Sequence, residues 1–310
     1  MPSLREVNHY AGASLRFTRP FGHRVSAKIR RRVLVGLATS ETLERAIGRV
    51  PGARERAWRS ARRYVAGAEI ADAVAVAQQL DAVGLGASID LFGERTAPAE
   101  APAVARGYVE LCGALAGATG EDTWLSIDLS HIAFDAALLD EIARAVPPGR
   151  RLQVGAEEAA VADRVLDLVL GAARRGLPVE ATLQANLRRS PGDADRLAAE
   201  GVPARLVKGA YPEAPDVALP WGPPTDRAYA GLARKLQIAG VDVALATHDA
   251  LLRAALLADT PDARCELLLG IDAPGARRLA ASGHDVRVYV PFGPAWFRYF
   301  MRRRAESQGA

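Results

Sequence analysis

Ala204-Arg205-Leu206-Val207-Lys208-Gly209-Ala210-Tyr211 decides the fold: an apolar strand of alternating side chains runs straight into a cation, a glycine and an aromatic residue. The chain is rich in arginine and holds only three lysines, Lys28, Lys208 and Lys235. Where Arg is the default cation, a compact ammonium at the end of a buried strand points to a site. Gly209 would admit the close approach of a ligand or of backbone. The plainer reading is a strand that ends in a surface lysine and a turn.

The pattern around this stretch recurs. The predicted strands are 87–92, 124–129, 152–156, 181–185, 205–207, 243–247, 266–269 and 286–290. Helical patterns lie near 98–118, 135–146, 157–175, 191–200, 224–239, 248–258, 273–282 and 294–306. Several strands are apolar on nearly every residue, as a parallel sheet buried on both faces requires. Eight such β-then-α units fit the arithmetic of a (β/α)8 barrel. No Gly-x-Gly-x-x-Gly follows a strand, which disfavours the open dinucleotide-binding sheet.

Upstream, residues 68–83 form an Ala-rich amphipathic helix closed by Gly84. Short helices are expected over 26–63, where Ser40-Glu41-Thr42-Leu43-Glu44 looks like a helix start, and residues 1–25 read as irregular. The expected fold class is therefore α/β. A TIM-like barrel over 84–310 follows an irregular segment and helices over 1–83 that pack on it.

Composition sets the bounds. A chain of 310 residues, 49% hydrophobic and 25% charged, describes a soluble globular protein. Arg24, Lys28, Arg30, Arg31 and Arg32 concentrate positive charge near the start. Interleaved acidic residues and the lack of aromatic platforms make this a solvated helical face, and no nucleic-acid partner is expected. Cys112 and Cys265 lack metal-ligand spacing and read as buried free thiols, with no metal implied. No apolar run approaches the ~20 residues of a membrane span, and no signal peptide opens the chain. A cytoplasmic protein is expected, with peripheral membrane contact left open.

In a barrel, chemistry gathers at the carboxyl ends of the strands. Those ends carry Asp90, Gly93 and Glu94; Asp128 and Ser130; Gln184 and Asn186; Lys208, Gly209 and Tyr211; Thr247, His248 and Asp249; Gly270; and Tyr289, Pro291 and Gly293. Such a ring of polar groups on an apolar scaffold suits a ligand pocket. His248 is either a rim residue or a packed one beside Asp249, which can cap the next helix. Lys208 could also be a desolvated amine nucleophile of a Schiff-base lyase. In the tail, Arg302, Arg303 and Glu306 share one helical face. Adjacent guanidiniums could grip a carboxylate, or the cluster is simply a basic helix end.

Together, Arg205 with Val207-Lys208-Gly209-Ala210-Tyr211, Ala246-Thr247-His248-Asp249 and the Tyr289-x-Pro291-x-Gly293…Tyr299-x-x-Arg302-Arg303-x-x-Glu306 tail resemble the proline dehydrogenase family. Arg63-Tyr64-Val65-Ala66-Gly67, Ile89-Asp90-Leu91-Phe92-Gly93-Glu94 and Leu183-Gln184-Ala185 add to the likeness. The resemblance implies a distorted (β/α)8 barrel, preceded by helices, that uses FAD. It implies that Gln184, Arg205, Val207, Lys208, Gly209, Ala210, Thr247 and His248 contact FAD, with Arg205 near the flavin's reactive N5. Arg302 and Arg303 would bind the substrate carboxylate with Glu306 as their partner, and Tyr289 would form an aromatic wall. The implied reaction is hydride loss from C5 of proline, or of a related cyclic amino acid, to give an imine. The electron acceptor stays open among quinone, oxygen and a carrier.

The departures fall in one region. Asp128-Leu129-Ser130 stands where the family usually has Lys-Leu-Ser/Thr, and Gly155-Ala156-Glu157-Glu158 where it has Asp-x-Glu-Asp/Glu. Asn186 replaces a tyrosine. Glu266-Leu267-Leu268-Leu269-Gly270 replaces Gln-Met-Leu-Tyr-Gly, which sets Leu269 on the substrate side. Loss of one partner from a charge pair is costly, so joint replacement at 128 and 155 is what a remodelled pocket would show. Arg205, Asp128 and Tyr289 are the expected residues nearest the chemistry, acting on a proline analogue. A homologue that binds without turnover is the alternative.

Overall fold

The computed structural model describes residues 52–93 and 95–307. The expected helices before residue 52, the basic run within them and Glu94 lie outside the described residues, as do the side chains of residues 53–54, 302 and 304–307. Helices α1 (Ala53–Ala61) and α2 (Ile70–Asp81) lead into β1 (Gly86–Leu91). There follow α3 (Ala101–Ala116), β2 (Thr123–Ile127), α4 (Ala136–Ala145), β3 (Leu152–Val154), α5 (Ala162–Arg174) and β4 (Val179–Gln184). The second half runs α6 (Ser190–Ala199), β5 (Ala204–Val207), α7 (Pro223–Ile238), β6 (Val243–Ala246) and α8 (Ala250–Asp259). It ends with β7 (Arg264–Leu268), α9 (Ala273–Ala281), β8 (Val286–Phe292) and α10 (Trp296–Ser307).

All eight strands pair in parallel and in chain order, and β8 returns to β1 to close the barrel. Local sequence explains where the helices start. Asp135 accepts from the N–H groups of Ala137 and Leu138 to open α4, and Asp249 and Asp272 do the same for α8 and α9. Proline stands in the first turn of α3, α6, α7 and α9, where its missing N–H costs nothing. Gly84, at φ 71°, ends the turn after α2 as only a residue without Cβ does cheaply.

Two kinds of interior result. Outside the barrel, Leu111, Leu125, Ile127, Leu139 and Tyr108 are sealed between strands and helices. Burial of each contributes about 1.5–3 kcal/mol. Inside it, the layers are polar. Ser88 donates to Gln153, whose amide reaches Glu180 at 3.1 Å and Glu266 at 2.6 Å. Arg264 grips both Glu180 oxygens at 2.9 Å. At the amino end, the guanidiniums of Arg287, Arg264 and Arg151 stack on Trp124 at 3.3, 4.5 and 5.0 Å from its centroid. Among the described residues this plug fills the bottom of the barrel.

A separate aromatic cluster fixes the terminal helix. Trp58 of α1 meets Trp296 of α10 edge-on at 4.9 Å, and Phe92 meets Tyr299 at 5.2 Å. Cys112 and Cys265 are buried free thiols, as expected, and burial pushes their pKa values up to about 12 and about 11. No helix among the described residues is long and apolar enough to cross a membrane.

Candidate active site

A cavity of about 380 Å³ opens at the carboxyl ends of the strands. Asp128, Arg205, Lys208, His248, Tyr289 and Arg303 are among its lining residues. Its size is that of a small-molecule site. Val207, Gly209, Ala210 and Thr247 line it too. Most of the residues expected at the site are thus brought together.

The β5 end is held rigidly. Arg205 donates through Nε to Thr182 Oγ1 at 3.0 Å, and its Nη1 lies 3.7 Å from Glu266 Oε2. Gln184 accepts from the N–H of Ala210 at 2.9 Å and donates to the carbonyl of Glu157 at 2.8 Å. That amide therefore ties the loop after β5 to the loop after β3, a scaffolding part that its position alone did not reveal. Gly209 has φ 150°, and a Cβ there would sit 2.3 Å from Asn186 Oδ1.

Lys208 lies between two carboxylates, at 2.6 Å from Asp226 and 2.8 Å from Asp249. Burial disfavours its charge, but the hydrogen bonds to Asp226 and Asp249 outweigh burial and raise its pKa. A Schiff-base lysine needs a neutral amine at working pH. The two carboxylates favour the ammonium over the neutral amine that the lyase reading needs.

His248 accepts the N–H of Leu268 at Nε2, 3.0 Å away, so in the neutral ring Nδ1 carries the proton. That Nδ1 is shielded from solvent and has no hydrogen-bond partner. Burial lowers its pKa to about 4, with the nearby Arg253 charge adding to the effect. Burial likewise lowers His131 to about 4. Between pH 6.5 and 4 the unfolded chain therefore binds protons at these rings that the native state refuses, and stability is lost as pH falls through that window. With allowance for partial exposure of His248, unfolding in urea should show stability about 1–2 kcal/mol lower at pH 5.5 than at pH 7. A flat profile would remove both assignments.

Across the mouth, the Tyr289 hydroxyl bonds to Asp90, which also accepts from Tyr108 at 2.9 Å. Burial, then the Asp90 charge, holds the Tyr289 phenol well above its usual pKa, so it stays protonated and its ring is fixed. Arg303 lies with its guanidinium 5.2 Å from the centroid of Tyr299. Asp128 directs its carboxylate into the room left by Gly155, where a Cβ would sit 1.8 Å from Oδ1.

Not every expected residue meets the cavity. Leu267 and Leu268 line it, whereas Leu269 packs against the hydrophobic core. The side chains of Arg302 and Glu306 lie outside the described set, and their backbone belongs to α10. Thr182 and Glu266 line the cavity without having been singled out as site residues. The signal available was a polar residue inside an apolar strand, on the same alternation as Arg205.

The sequence model of the family described as Proline dehydrogenase matches residues 73–310. Proline dehydrogenase of Deinococcus radiodurans is 34% identical over 279 residues, which cover 82% of this chain and 88% of that relative. Proline dehydrogenase 1 of Bacillus subtilis (strain 168) is 32% identical over 265 residues, 79% of this chain and 86% of its own length. Among solved structures, proline utilization A (PutA) from Bdellovibrio bacteriovorus, inactivated by N-propargylglycine, aligns over 92% of this chain with a TM-score of 0.73 and 19% identity. This chain spans 37% of that protein, and the likeness is one of fold. On the family match along most of its length and on these relatives, the chain belongs to the proline dehydrogenase family.

Proposed function

We propose that this protein is an FAD-dependent dehydrogenase of proline-type cyclic amino acids, and that its substrate carries a hydrogen-bond donor or positive charge that proline lacks. The observation that carries the reading is the convergence of Arg205, His248, Tyr289 and Arg303 on one cavity in a member of this family.

The residues present fit a flavin. The Nδ1–H of His248, which has no hydrogen-bond partner, is a donor for a flavin carbonyl. Lys208 and Thr247 line the same cavity and would supply polar contacts toward the ribityl and phosphate arm. Bound FAD would supply the acceptor for the hydride that leaves the carbon beside the ring nitrogen. Arg303 would hold the substrate carboxylate, with Arg302 beside it on α10. Tyr289, Phe92 and Tyr299 would wall the ring from water and fix its face.

The finer claim rests on Asp128. Its carboxylate occupies the space over Gly155, so the pocket presents an acceptor where the resemblance implies a Lys and Asp pair. An acceptor there favours a hydroxyl or amino substituent on the substrate ring. The test is the absorbance spectrum of the purified protein, followed by anaerobic titration with L-proline, hydroxyprolines, aminoprolines and pipecolate. Flavin bands, bleached more readily by a donor-bearing ring than by L-proline, are expected. Absence of flavin overturns the enzyme reading, and preference for L-proline overturns the substrate reading. Bound flavin that no ring compound reduces would establish the homologue that binds without turnover.

A further inference from the structure

Glu266 has a place in the barrel that the family reading does not use. It is 4% exposed and stands on β7 among the cavity-lining residues. One carboxylate oxygen is fully engaged from below: Oε1 accepts from Gln153 at 2.6 Å and from Arg264 at 3.2 Å. The other, Oε2, is shielded from solvent and has no hydrogen-bond partner, its neighbouring cation being Arg205 at 3.7 Å. A buried charge held on one side only is costly, and such groups persist where something else completes them. Arg205 is itself tethered at Nε by Thr182, and because the guanidinium is a rigid fork, contact at its Nη edge with Glu266 completes the definition of its plane.

We propose that Glu266 is a positioning residue: from a fixed perch on Gln153 and Arg264, its free oxygen sets the orientation of the Arg205 guanidinium and offsets its charge at the reacting centre. This inference rests on the flavin reading above. The arrangement forms a chain of command across the interior, with Arg264 and Gln153 holding Glu266, and Glu266 holding Arg205. Conversion of Glu266 to an amide keeps the shape and the bond to Gln153 but removes the negative charge. Arg205 then stands uncompensated beside an electron-accepting ring, and Coulomb attraction favours the reduced, more negative form.

The test uses the FAD-loaded protein and a dye-equilibration titration of its midpoint potential. Glu266→Gln is expected to raise the equilibrium constant for two-electron reduction about tenfold, or about 30 mV. The KM for the cyclic amino acid should stay within about twofold, because the carboxylate clamp belongs to α10. Glu266→Asp keeps the charge but withdraws the oxygen by one carbon. It should leave the potential unchanged and lower kcat about tenfold with KM unmoved, and it also serves if the Gln variant fails to fold. A Gln variant that binds flavin at an unaltered potential, or an Asp variant with full kcat, overturns the role of Glu266 and leaves the flavin reading intact. A wild-type protein that takes up no FAD overturns both.

Discussion

Arg303→Met is expected to lower kcat/KM for the cyclic amino acid by about a hundred- to a thousandfold, with most of the loss in KM. The cation leaves a desolvated mouth where a carboxylate would otherwise be met by a planar fork of donors. Such a clamp holds ground state and transition state alike, which is why KM should carry the effect. The aliphatic part of methionine still covers Tyr299, whose ring lies 5.2 Å from the guanidinium it replaces. The aromatic cluster that seats α10, Trp58 against Trp296 and Phe92 against Tyr299, is untouched. Thermal unfolding should therefore shift by no more than about 2–4 °C, the equivalent of about 1 kcal/mol in a chain of this size. Arg303→Lys should recover only part of the activity, since a point charge does not reproduce a bidentate grip. Steady-state kinetics with the best substrate of the flavin titration decides it: a KM within threefold of wild type would remove Arg303 from the site.

The barrel was legible because each strand carries buried apolar residues, such as Leu206 on β5 and Val286, Val288 and Val290 on β8, that pack in the core. The expected strand 205–207 is β5, Ala204–Val207, and 286–290 is the core of β8, Val286–Phe292. Errors fall at both ends: β4 and β7 start two residues before the expected 181 and 266, and several carboxyl ends are displaced as well. The run expected over 124–129 stops at Ile127, because Leu129–Ile132 forms a 3-10 turn led by Asp128. The run over 152–156 stops at Val154, since pairing with β4 covers only Leu152 and Gln153. Both strands end early just where the pocket departs from the family pattern. Residues that follow a strand, such as Lys208 and His248, were visible as polar breaks after apolar runs. Glu266 and Thr182 were visible only as polar residues inside strands, because their meaning depends on partners on other strands. Gln153 and Glu266 are 113 residues apart in sequence, and no local spacing announces that bond. Gln184 shows the converse limit: its position was readable, but not that its amide binds Ala210 and Glu157.

Gly155→Asp and Asp128→Lys should be strongly coupled, and the sign of the coupling tests how this pocket was remodelled. A side chain at 155 cannot be added while Asp128 stays where it is, because its Cβ would fall 1.8 Å from Oδ1 and 3.0 Å from Cγ. Either the Asp128 carboxylate rotates away or the strand end shifts. The single Gly155→Asp variant also sets two carboxylates against each other. It is expected to lose about 3 kcal/mol in urea unfolding, through overpacking and like-charge repulsion. The Asp128→Lys variant meets an open glycine and should cost about 1 kcal/mol, within the ordinary range for a polar substitution. In the double variant the ammonium reaches a carboxylate instead of clashing with one. The double variant should therefore regain about 2 kcal/mol relative to the sum of the singles. The functional counterpart is a change of preference. With the acceptor at 128 replaced by a paired cation, donor-bearing rings lose their partner, and kcat/KM for L-proline relative to such a ring should rise at least about tenfold. Additive stabilities would mean that Asp128 does not own the space over Gly155. An unchanged substrate ratio, with stability restored, would mean that the two positions shape the fold of the mouth without selecting what enters it.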